Sequence, residues 1–518
     1  MLKPDASARD VDTRCPSLTL RVTIQMNNAT ETIRSTGAQD SRIVWFLLLP
    51  AVALVVALLI AIYDIVAVLG LMAMVVGVLL IRRPDFAVYL FVFGIYINAP
   101  VIAVRFHGVP QIVATAFAGV LAIPLVHHLF VKKRQILLDP IVPWIFVFIV
   151  VQMIGVLVAD HRQVATRVLI TSITEGLILF GLVTNVIRSH EVLRRAVLAL
   201  VLAGAFMGSL SVYQKVTNSF DREFGGFAQV PTTDRNGVEV VSPNPRSVGP
   251  IGEKNYYGQF MLLLVPLCLA TISWTESRPR QLVLVVATLL CLSAVALTAS
   301  RGAAIGFCVL LVAMYAMREL TKRQAVWLVS AAVVLVLMMP GIRERMAELF
   351  DAASVLRESG DLRATDSSIQ GRATEMMAAA LVFRDSPIIG VGSGNFQLHF
   401  PTKANALGFQ IHGETRMAHC SYLEIAAENG ILGIVCFLAI FYVTTRNLWQ
   451  ARQVATHLEL KKTATAFFLV MIAMIVTSTF LSFAYIRYYW LILALCSVAA
   501  RLALDSARPP HPAETATS

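Results

Sequence analysis

Three polar turns in this very apolar chain carry side chains that could take part in chemistry. The first is residues 298–303, Thr-Ala-Ser-Arg-Gly-Ala, where Ser300 and Arg301 lie between two apolar segments. An arginine at a membrane boundary is stabilised either by snorkelling to water or by binding an anion. Because its neighbours are small, the Arg301 guanidinium stays accessible, and its planar fork suits phosphate oxygens. Arg301 is therefore either an interfacial anchor or an anion-binding residue.

The second turn, residues 246–257, leads into another apolar segment and contains glycine, proline and positive charge. Its glycines allow a close backbone approach, and Arg246 and Lys254 are cationic. A helix is expected to begin near Asn255, and helix N-termini favour anions. This turn is either a second part of an anion site or an ordinary capped loop.

The third polar feature is residues 418–433, where His419 precedes a run that is compatible with a helix. A histidine has an ordinary pKa near ~6.5, so His419 could accept a proton near neutral pH, although such a residue can also be structural. Glu424 and Glu428 are four residues apart and share a helix face, where they either orient nearby groups or form a wet surface. Arg372 could be a further phosphate contact or only a helix-start residue.

Signatures of metal or nucleotide chemistry are missing from the sequence. It contains no HExxH, no Walker loop and no paired-aspartate motif of metal-dependent glycosyltransferases. Its seven cysteines form no CxxC or metal-ligand spacing. We therefore expect no metal and no cofactor.

The composition indicates an integral membrane protein that must hold these turns in place. Of 518 residues, 57% are hydrophobic and only 14% are charged, and apolar runs of membrane length recur along the chain. Backbone groups in hydrocarbon must be satisfied within their own segment, so the runs are predicted to be helices. We predict an all-α polytopic protein with about 14 transmembrane helices: Ile43–Ile62, Ile65–Ile81, Phe86–Val104, Ile112–Val131, Ile141–Ala159, Val168–Ile187, Ala196–Tyr213, Tyr256–Trp274, Gln281–Ala299, Ala304–Met317, Ala325–Met339, Ile431–Thr445, Thr463–Phe483 and Ile486–Ala500.

Basic residues indicate the orientation of these helices and account for the formal charge of +11. The positive-inside rule assigns the connections with more Lys and Arg to the cytoplasm. One alternate set of connections holds Arg82, Arg83, Lys132, Lys133, Arg134, Arg188, Arg194, Arg195, Arg278, Arg280, Arg318, Lys322, Arg323, Arg446, Arg452, Lys461 and Lys462. The opposite set holds only Arg105, Arg162, Arg167, Arg301 and Arg487. With an even helix count, both termini are cytoplasmic, and nucleic-acid binding is a poor explanation for the charge.

Two long loops then lie on the opposite side of the membrane. The first, residues 214–255, is rich in proline and glycine and should be irregular. The second, residues 340–430, contains amphipathic stretches such as Arg372–Phe383, which predict short helices, and a loop of this length is usually functional. The apolar region 42–505 is the transmembrane domain, flanked by predicted disordered tails at 1–41 and 506–518.

The motifs in these turns resemble those of the O-antigen ligase/polymerase superfamily of bacterial membrane glycosyltransferases. Ser300-Arg301-Gly302 resembles its Ser-Arg-Gly turn, and Ala418–Leu423 resembles its His-Asn-x-Tyr-Leu motif, with Cys420 where asparagine is usual. Gly371-Arg372 and residues 386–396 resemble its Gly-Arg and glycine-rich signatures, and Arg246 with residues 252–255 resembles its Gly-x-x-Asn motif. Several motifs in the expected order make the resemblance specific for the superfamily.

The resemblance implies a GT-C-like fold in the bacterial inner membrane, with a periplasmic active site. Such enzymes need no metal and move a glycan, with inversion, from undecaprenyl pyrophosphate to an acceptor hydroxyl during surface polysaccharide assembly. The acceptor would be a glycan, lipid A-core or a protein. Arg301 and His419 would be the catalytic residues, with His419 as base or positioning group. The pyrophosphate would be bound by Arg301, Arg246, Arg372 and Lys254, and the supporting residues would be Asn255, Ser300, Tyr422 and Glu424.

Two alternatives stay open. The shared motifs do not separate a ligase from a repeat-unit polymerase. A polytopic transporter of lipid-linked or small solutes would also have many spans. It should carry a string of charges at the membrane midplane, whereas Asp160 and Glu175 read as isolated charges in the sequence.

Overall fold

The computed structural model of the chain describes residues 79–80, 82–230, 232–235, 238–241, 245–338, 367–409, 416–482 and 484–507. The chain divides into two compact units, Met1–Arg82 and Arg83–Ser518, and the description below concerns the second. The predicted span Ile43–Ile62, nearly all of Ile65–Ile81 and the tail 1–41 lie outside the described residues, as does 508–518 of the C-terminal tail.

Helices make up most of the described chain. In chain order they are α1 (Asp85–Tyr96), α2 (Ala99–His107), α3 (Gln111–Ala116) with a 3-10 turn (Phe117–Leu121), α4 (Ala122–Val126) with a π-helical turn (His127–Val131), α5 (Val142–Val158), α6 (Arg162–Thr171) continued by a π-helical segment (Ser172–Ile178) into α7 (Leu179–Val186), α8 (His190–Thr217), α9 (Lys254–Ser273), α10 (Arg278–Leu297), α11 (Arg301–Ala316), α12 (Lys322–Met338), α13 (Ser367–Asp385), α14 (Phe396–Ala406), α15 (Ser421–Val454), α16 (Leu458–Thr477) and α17 (Arg487–Asp505). Short 3-10 turns lie at Phe224–Gly226 and Gly249–Ile251.

The helical, multi-pass character predicted from the sequence is confirmed. Each predicted span within the described residues overlaps one of these helices. Seven helices there are long and apolar enough to cross a membrane, or eight if α1 and α2, which meet at a 56° bend, count as one span. Three further apolar helices are shorter. The total of about 14 spans stays a prediction.

The first long loop departs from the irregular structure expected of it. Strands β1 (Thr232–Arg235) and β2 (Val238–Val241) pair antiparallel, with Thr232 opposite Val241 and Arg235 opposite Val238. Five of the eight strand residues are Val or Thr, β-branched types that favour strands. The all-α prediction therefore needs one small correction, a two-stranded hairpin.

Helices α9 and α17 are the most buried of the helices that could span a membrane within the described chain. Both are apolar around most of their circumference, which is typical of helices buried on all sides. The Phe260 and Tyr488 rings stack with centroids 4.4 Å apart, and the Tyr96 hydroxyl donates to the Phe260 carbonyl at 2.7 Å. This packing fixes α9, and with it the polar turn that precedes Lys254.

A break in α15 joins the second long loop to the membrane helices. Helix α15 begins at Ser421, ten residues before the predicted span, and Gly430 interrupts it with φ 63° and ψ −163°. The turn after α13 docks at this break, where the Ile431 N–H donates to the Pro387 carbonyl at 2.8 Å and the Gly392 N–H donates to the Glu428 carbonyl at 2.9 Å. A Cβ on Gly430 would lie 2.2 Å from the Ile388 carbonyl oxygen, so this position requires glycine.

Candidate active site

A polar cavity of about 280 Å³ brings together residues that are far apart along the chain. Arg301 and His419, which the sequence analysis assigned to one site, both line it. Its lining residues are Arg246, Glu253, Lys254, Asn255, Ala299, Arg301, Gly371, Arg372, Glu375, Arg416 and His419. Six of these were singled out from the sequence, namely Arg246, Lys254, Asn255, Arg301, Arg372 and His419. Their catalytic and binding roles stay predictions.

Helix N-termini point partial positive charge toward this region. Helices α9 and α11 begin at Lys254 and Arg301, which both line the cavity, and α15 begins two residues after His419. The Glu253 carboxylate caps α9 by accepting from the backbone N–H groups of Asn255 and Tyr256, both at 2.8 Å. Because the helix dipole favours negative charge at an N-terminus, the starts of α11 and α15 reinforce an anion-binding environment, whereas Glu253 already supplies a negative charge at the start of α9.

The backbone is strained at two residues of the cavity wall. Ala299 has φ 46° and His419 has φ 49°, a left-handed conformation that is uncommon for residues other than glycine. Such a conformation costs roughly 1–2 kcal/mol and persists where the surrounding structure enforces it, often at functional sites. Both residues lie just before the cap residue of a helix, so the strain sets the direction in which α11 and α15 leave the cavity.

A close helix approach positions Arg301. A Cβ on Gly302 would lie 2.9 Å from the Phe480 Cβ, so only glycine allows the start of α11 to approach the segment after α16 this closely. Ser300 is the N-cap of α11, and its hydroxyl accepts from the Ala303 N–H at 3.5 Å. Ser300 does not line the cavity, and its contacts are those of a residue that holds Arg301 in place.

Positive charge dominates the cavity. Five cationic side chains, Arg246, Lys254, Arg301, Arg372 and Arg416, face two carboxylates, those of Glu253 and Glu375. Burial lowers the pKa of the Arg372 guanidinium, but an arginine stays protonated at neutral pH. Because the cationic side chains outnumber the carboxylates, the cavity has a net positive charge. This charge suits a ligand with several negative oxygens, such as a diphosphate.

His419 faces a buried carboxyl group across the cavity. Its Nε2 lies 3.9 Å from Glu375 Oε2, and the Arg416 Nη1 donates to Glu375 Oε1 at 3.4 Å. Burial, together with the positive charges of Arg372 and Arg416, lowers the pKa of His419 to about 4. Burial raises the pKa of Glu375 to about 7, against the opposing effect of the two arginines. His419 is therefore neutral at physiological pH, and Glu375 is the group that titrates there.

Tyr422 and Glu424, expected to support the site, do not line the cavity. The Tyr422 hydroxyl donates to the Ile475 carbonyl at 2.8 Å, which ties the start of α15 to α16. Glu424 is buried and accepts from the Ala418 N–H at 3.1 Å, which fixes the residue before His419. Glu428, on the same helix face, accepts from the Tyr485 hydroxyl at 2.9 Å. Their contacts within the described chain are therefore structural.

Glu375 and Arg416 are cavity residues that the sequence reasoning missed. Glu375 follows Arg372 by three residues on α13, and this spacing places both on one helix face. Arg416 precedes His419 by three residues in a segment without regular secondary structure. The spacing in α13 was a usable signal, but charges in an amphipathic helix are usually interpreted as a solvated face.

The two charges that read as isolated in the sequence have partners. Glu175 Oε1 lies 3.2 Å from the Arg487 Nη2, and Asp160 Oδ2 lies 3.4 Å from His399 Nε2. Among the residues that the structure describes, no group of three His, Cys, Asp or Glu side chains could hold a metal ion.

Comparison with known proteins identifies one family. Residues 286–438 match the family model described as O-antigen ligase, and this range contains Arg301, Arg372, Glu375, Arg416 and His419. No curated protein matches the chain. The chain thus has a segment similar to O-antigen ligases within a multi-pass membrane protein, and its resemblance to the O-antigen ligase/polymerase superfamily is confirmed.

Proposed function

We propose that this protein is an O-antigen ligase-like membrane glycosyltransferase. It would transfer a glycan from an undecaprenyl-pyrophosphate donor to an acceptor hydroxyl in surface polysaccharide assembly. The observation that carries the proposal is that Arg301 and His419, 118 positions apart, line one cavity in which cations outnumber carboxylates.

The chemistry requires stabilisation of a leaving group and removal of a proton. The acceptor oxygen attacks the anomeric carbon while the bond to the pyrophosphate oxygen breaks, so negative charge develops on the phosphates. Arginines fixed in a poorly hydrated cavity stabilise that charge where it forms, the role that a metal ion fills in other enzymes. Direct attack from the face opposite the leaving group inverts the anomeric centre.

The distribution of charge supports a periplasmic site in a bacterial inner membrane, with both termini in the cytoplasm. Helix α9 runs from the cavity at Lys254 to Ser273, and twenty helical residues span about 30 Å, the thickness of the hydrocarbon core. Arg278 and Arg280, at the start of α10, lie beyond that far end and are exposed. The positive-inside rule assigns them to the cytoplasm and the cavity to the opposite side.

Glycan analysis of a deletion strain distinguishes the two activities within this class. Loss of a ligase would leave long glycan chains attached to the lipid carrier. Loss of a repeat-unit polymerase would leave single repeat units. A deletion strain whose surface glycans and lipid-linked intermediates are unchanged would contradict both.

Two substitutions test whether the cavity is required. We expect Arg301→Ala and His419→Ala each to abolish or nearly abolish the glycan product in the complemented strain, with normal protein level and membrane insertion. Loss of acid–base assistance alone typically slows a reaction by ~10²–10⁴-fold. The control is Arg280→Ala, at the exposed start of α10, which should leave the product unchanged. Normal product from either cavity variant would count heavily against the proposal.

A further inference from the structure

We infer that Glu375 takes the proton from the acceptor hydroxyl, and that His419 Nε2 holds that hydroxyl beside it. This inference rests on the proposed function and assigns the general base within it. It gives a catalytic role to a carboxyl group in the second long loop, and it makes His419 a hydrogen-bonding residue in the same step.

The position of the Glu375 side chain is the first argument. It is only 5% exposed, yet it lines the cavity, and its Oε2 makes no hydrogen bond within the described chain. A buried polar atom without a hydrogen bond costs free energy, so such atoms call for an explanation in a ligand or a function. Oε1 is held by Arg416, so Oε2 is the carboxyl oxygen whose hydrogen-bonding capacity is left for a substrate.

The distance between the two side chains is the second argument. The gap of 3.9 Å between His419 Nε2 and Glu375 Oε2 is too long for a hydrogen bond between them. One hydroxyl oxygen could lie about 2.8 Å from both atoms, because the gap is less than twice that distance. Oε2 is buried in this structure, and a small rotation about the terminal torsion of glutamate, which has broad minima, would expose it to that hydroxyl.

Basicity is the third argument. A general base works best when its pKa lies near the operating pH. Burial and two neighbouring arginines lower the pKa of His419 to about 4, so its imidazole binds a proton weakly. Burial raises the pKa of Glu375 to about 7, so its carboxylate is the stronger base and is still largely ionised slightly above neutral pH.

Charged neighbours of Glu375 come from several elements. Arg372 is on its own helix, Arg416 and His419 precede α15, and the opposite wall of the cavity carries Arg246, Glu253, Lys254 and Arg301. Helices α14 and α15, which pack against α13, also carry His399, Lys403, Glu424 and Glu428. Glu424 and Glu428 bond elsewhere, His399 faces Asp160, and Lys403 pairs with Asp385. Arg372 and Arg416 are therefore the charges that act most directly on this carboxyl group.

The reaction step balances without any further reactant. The acceptor oxygen forms a bond to the anomeric carbon, and the bond from that carbon to the pyrophosphate oxygen breaks with its electron pair on the leaving group. The hydroxyl proton moves to Glu375 Oε2. The resulting carboxylic acid returns its proton to water after the product leaves.

The test is the pH dependence of transfer in proteoliposomes that contain the full chain, the lipid-pyrophosphate-linked glycan and the acceptor of the source strain. With Glu375 as base, the wild-type rate rises with pH through about 7 and then levels off. With His419 as base, the rise would fall near pH 4, and the rate would be flat across neutral pH. A flat wild-type profile between about pH 5 and about pH 9 overturns the inference without any variant.

Variants give the second readout. We expect Glu375→Gln, which keeps the shape but cannot accept the proton, to lower the rate by ~10²–10⁴-fold and to remove the rise near pH 7. Glu375→Asp should retain the rise at a lower rate, and His419→Gln should also retain it. The matched control is Asp385→Asn, an exposed acid on the same helix that pairs with Lys403, which should behave as wild type.

The outcomes separate this inference from the proposed function. Transfer by the wild type with an unchanged rate and pH profile in Glu375→Gln would overturn the role of Glu375 and leave the glycosyltransferase standing. No transfer by the wild type under any condition would overturn the function itself. If Glu375→Gln does not fold, the Glu375→Asp and wild-type profiles decide the question.

Discussion

Removal of the Arg301 side chain should weaken diphosphate binding without abolishing it. Arg301 lines the cavity at the N-terminus of α11, where the helix dipole and four other cations also favour negative charge. Arg301→Ala removes one cation of five and leaves Arg246, Lys254, Arg372 and Arg416 in place. Arg301→Lys keeps the charge but loses the planar fork that contacts two phosphate oxygens at once.

The expected size follows from the kind of contact that is lost. A hydrogen bond to a charged group contributes about 1.5–3 kcal/mol, which corresponds to roughly a 10- to 150-fold change in Kd. Arg301→Ala should fall in this range, and Arg301→Lys should fall between Arg301→Ala and the wild type. Added salt should weaken binding to the wild type more than binding to Arg301→Ala, because screening acts on one fewer charge pair.

The assay is calorimetric titration of the purified protein in detergent with farnesyl diphosphate, a soluble isoprenyl diphosphate. Farnesol, which lacks the phosphates, measures the contribution of the hydrocarbon alone. Arg280→Ala, far from the cavity at the exposed start of α10, is the matched control and should bind as wild type does. Equal affinity of wild type and Arg301→Ala, or equal binding of farnesol and its diphosphate, would refute the assignment of a diphosphate site.

Two further predictions concern the framework of the site. Gly430→Ala should lower stability by about 3 kcal/mol or more, because it adds steric overlap to a backbone conformation that is essentially restricted to glycine; its thermal midpoint in detergent should drop by several degrees. Glu175→Gln should lower stability by about 1–3 kcal/mol, because it leaves the partly buried Arg487 without the carboxylate 3.2 Å away, and a double-mutant cycle with Arg487→Gln should measure a coupling of that size.

Each of these predictions has a control elsewhere in the chain. A Cβ on Gly181 would meet no atom within 4 Å, so Gly181→Ala should leave stability unchanged or raise it. The pair Glu191–Arg195 is more than half exposed, and its coupling should be about 0.5 kcal/mol or less. Equal thermal midpoints for the two glycine variants, or equal coupling in the two ion pairs, would contradict the reasoning.

The membrane helices were predictable from the sequence because a helix that crosses a bilayer needs a long run of apolar residues. The break in α15 was not predictable from this signal, because residues on both sides of Gly430 are helical. Only the hydrogen bonds from the turn after α13 reveal why the helix changes direction there. The hairpin β1–β2 was missed because each strand has only four residues, too few for a periodic pattern.

Motif resemblance identified residues of the cavity better than it identified their surroundings. Arg301 and His419 were recognisable from their motifs, but Tyr422, in the same motif as His419, and Glu424, directly after that motif, make structural contacts. Glu375 belongs to no quoted motif and lies on a helix of mixed polarity. Its burial results from the way α13 packs against α15, a tertiary contact that local sequence does not encode.

The proposed glycan transfer at this cavity is tested most directly by reconstitution of the purified protein in proteoliposomes with a lipid-pyrophosphate-linked glycan as donor and an acceptor. Mass spectrometry should detect glycan on the acceptor and free undecaprenyl pyrophosphate in equal amounts with the wild type. Arg301→Ala should give neither product at a comparable rate. Equal product from Arg301→Ala, or release of the lipid carrier without glycan on the acceptor, would contradict transfer at this site.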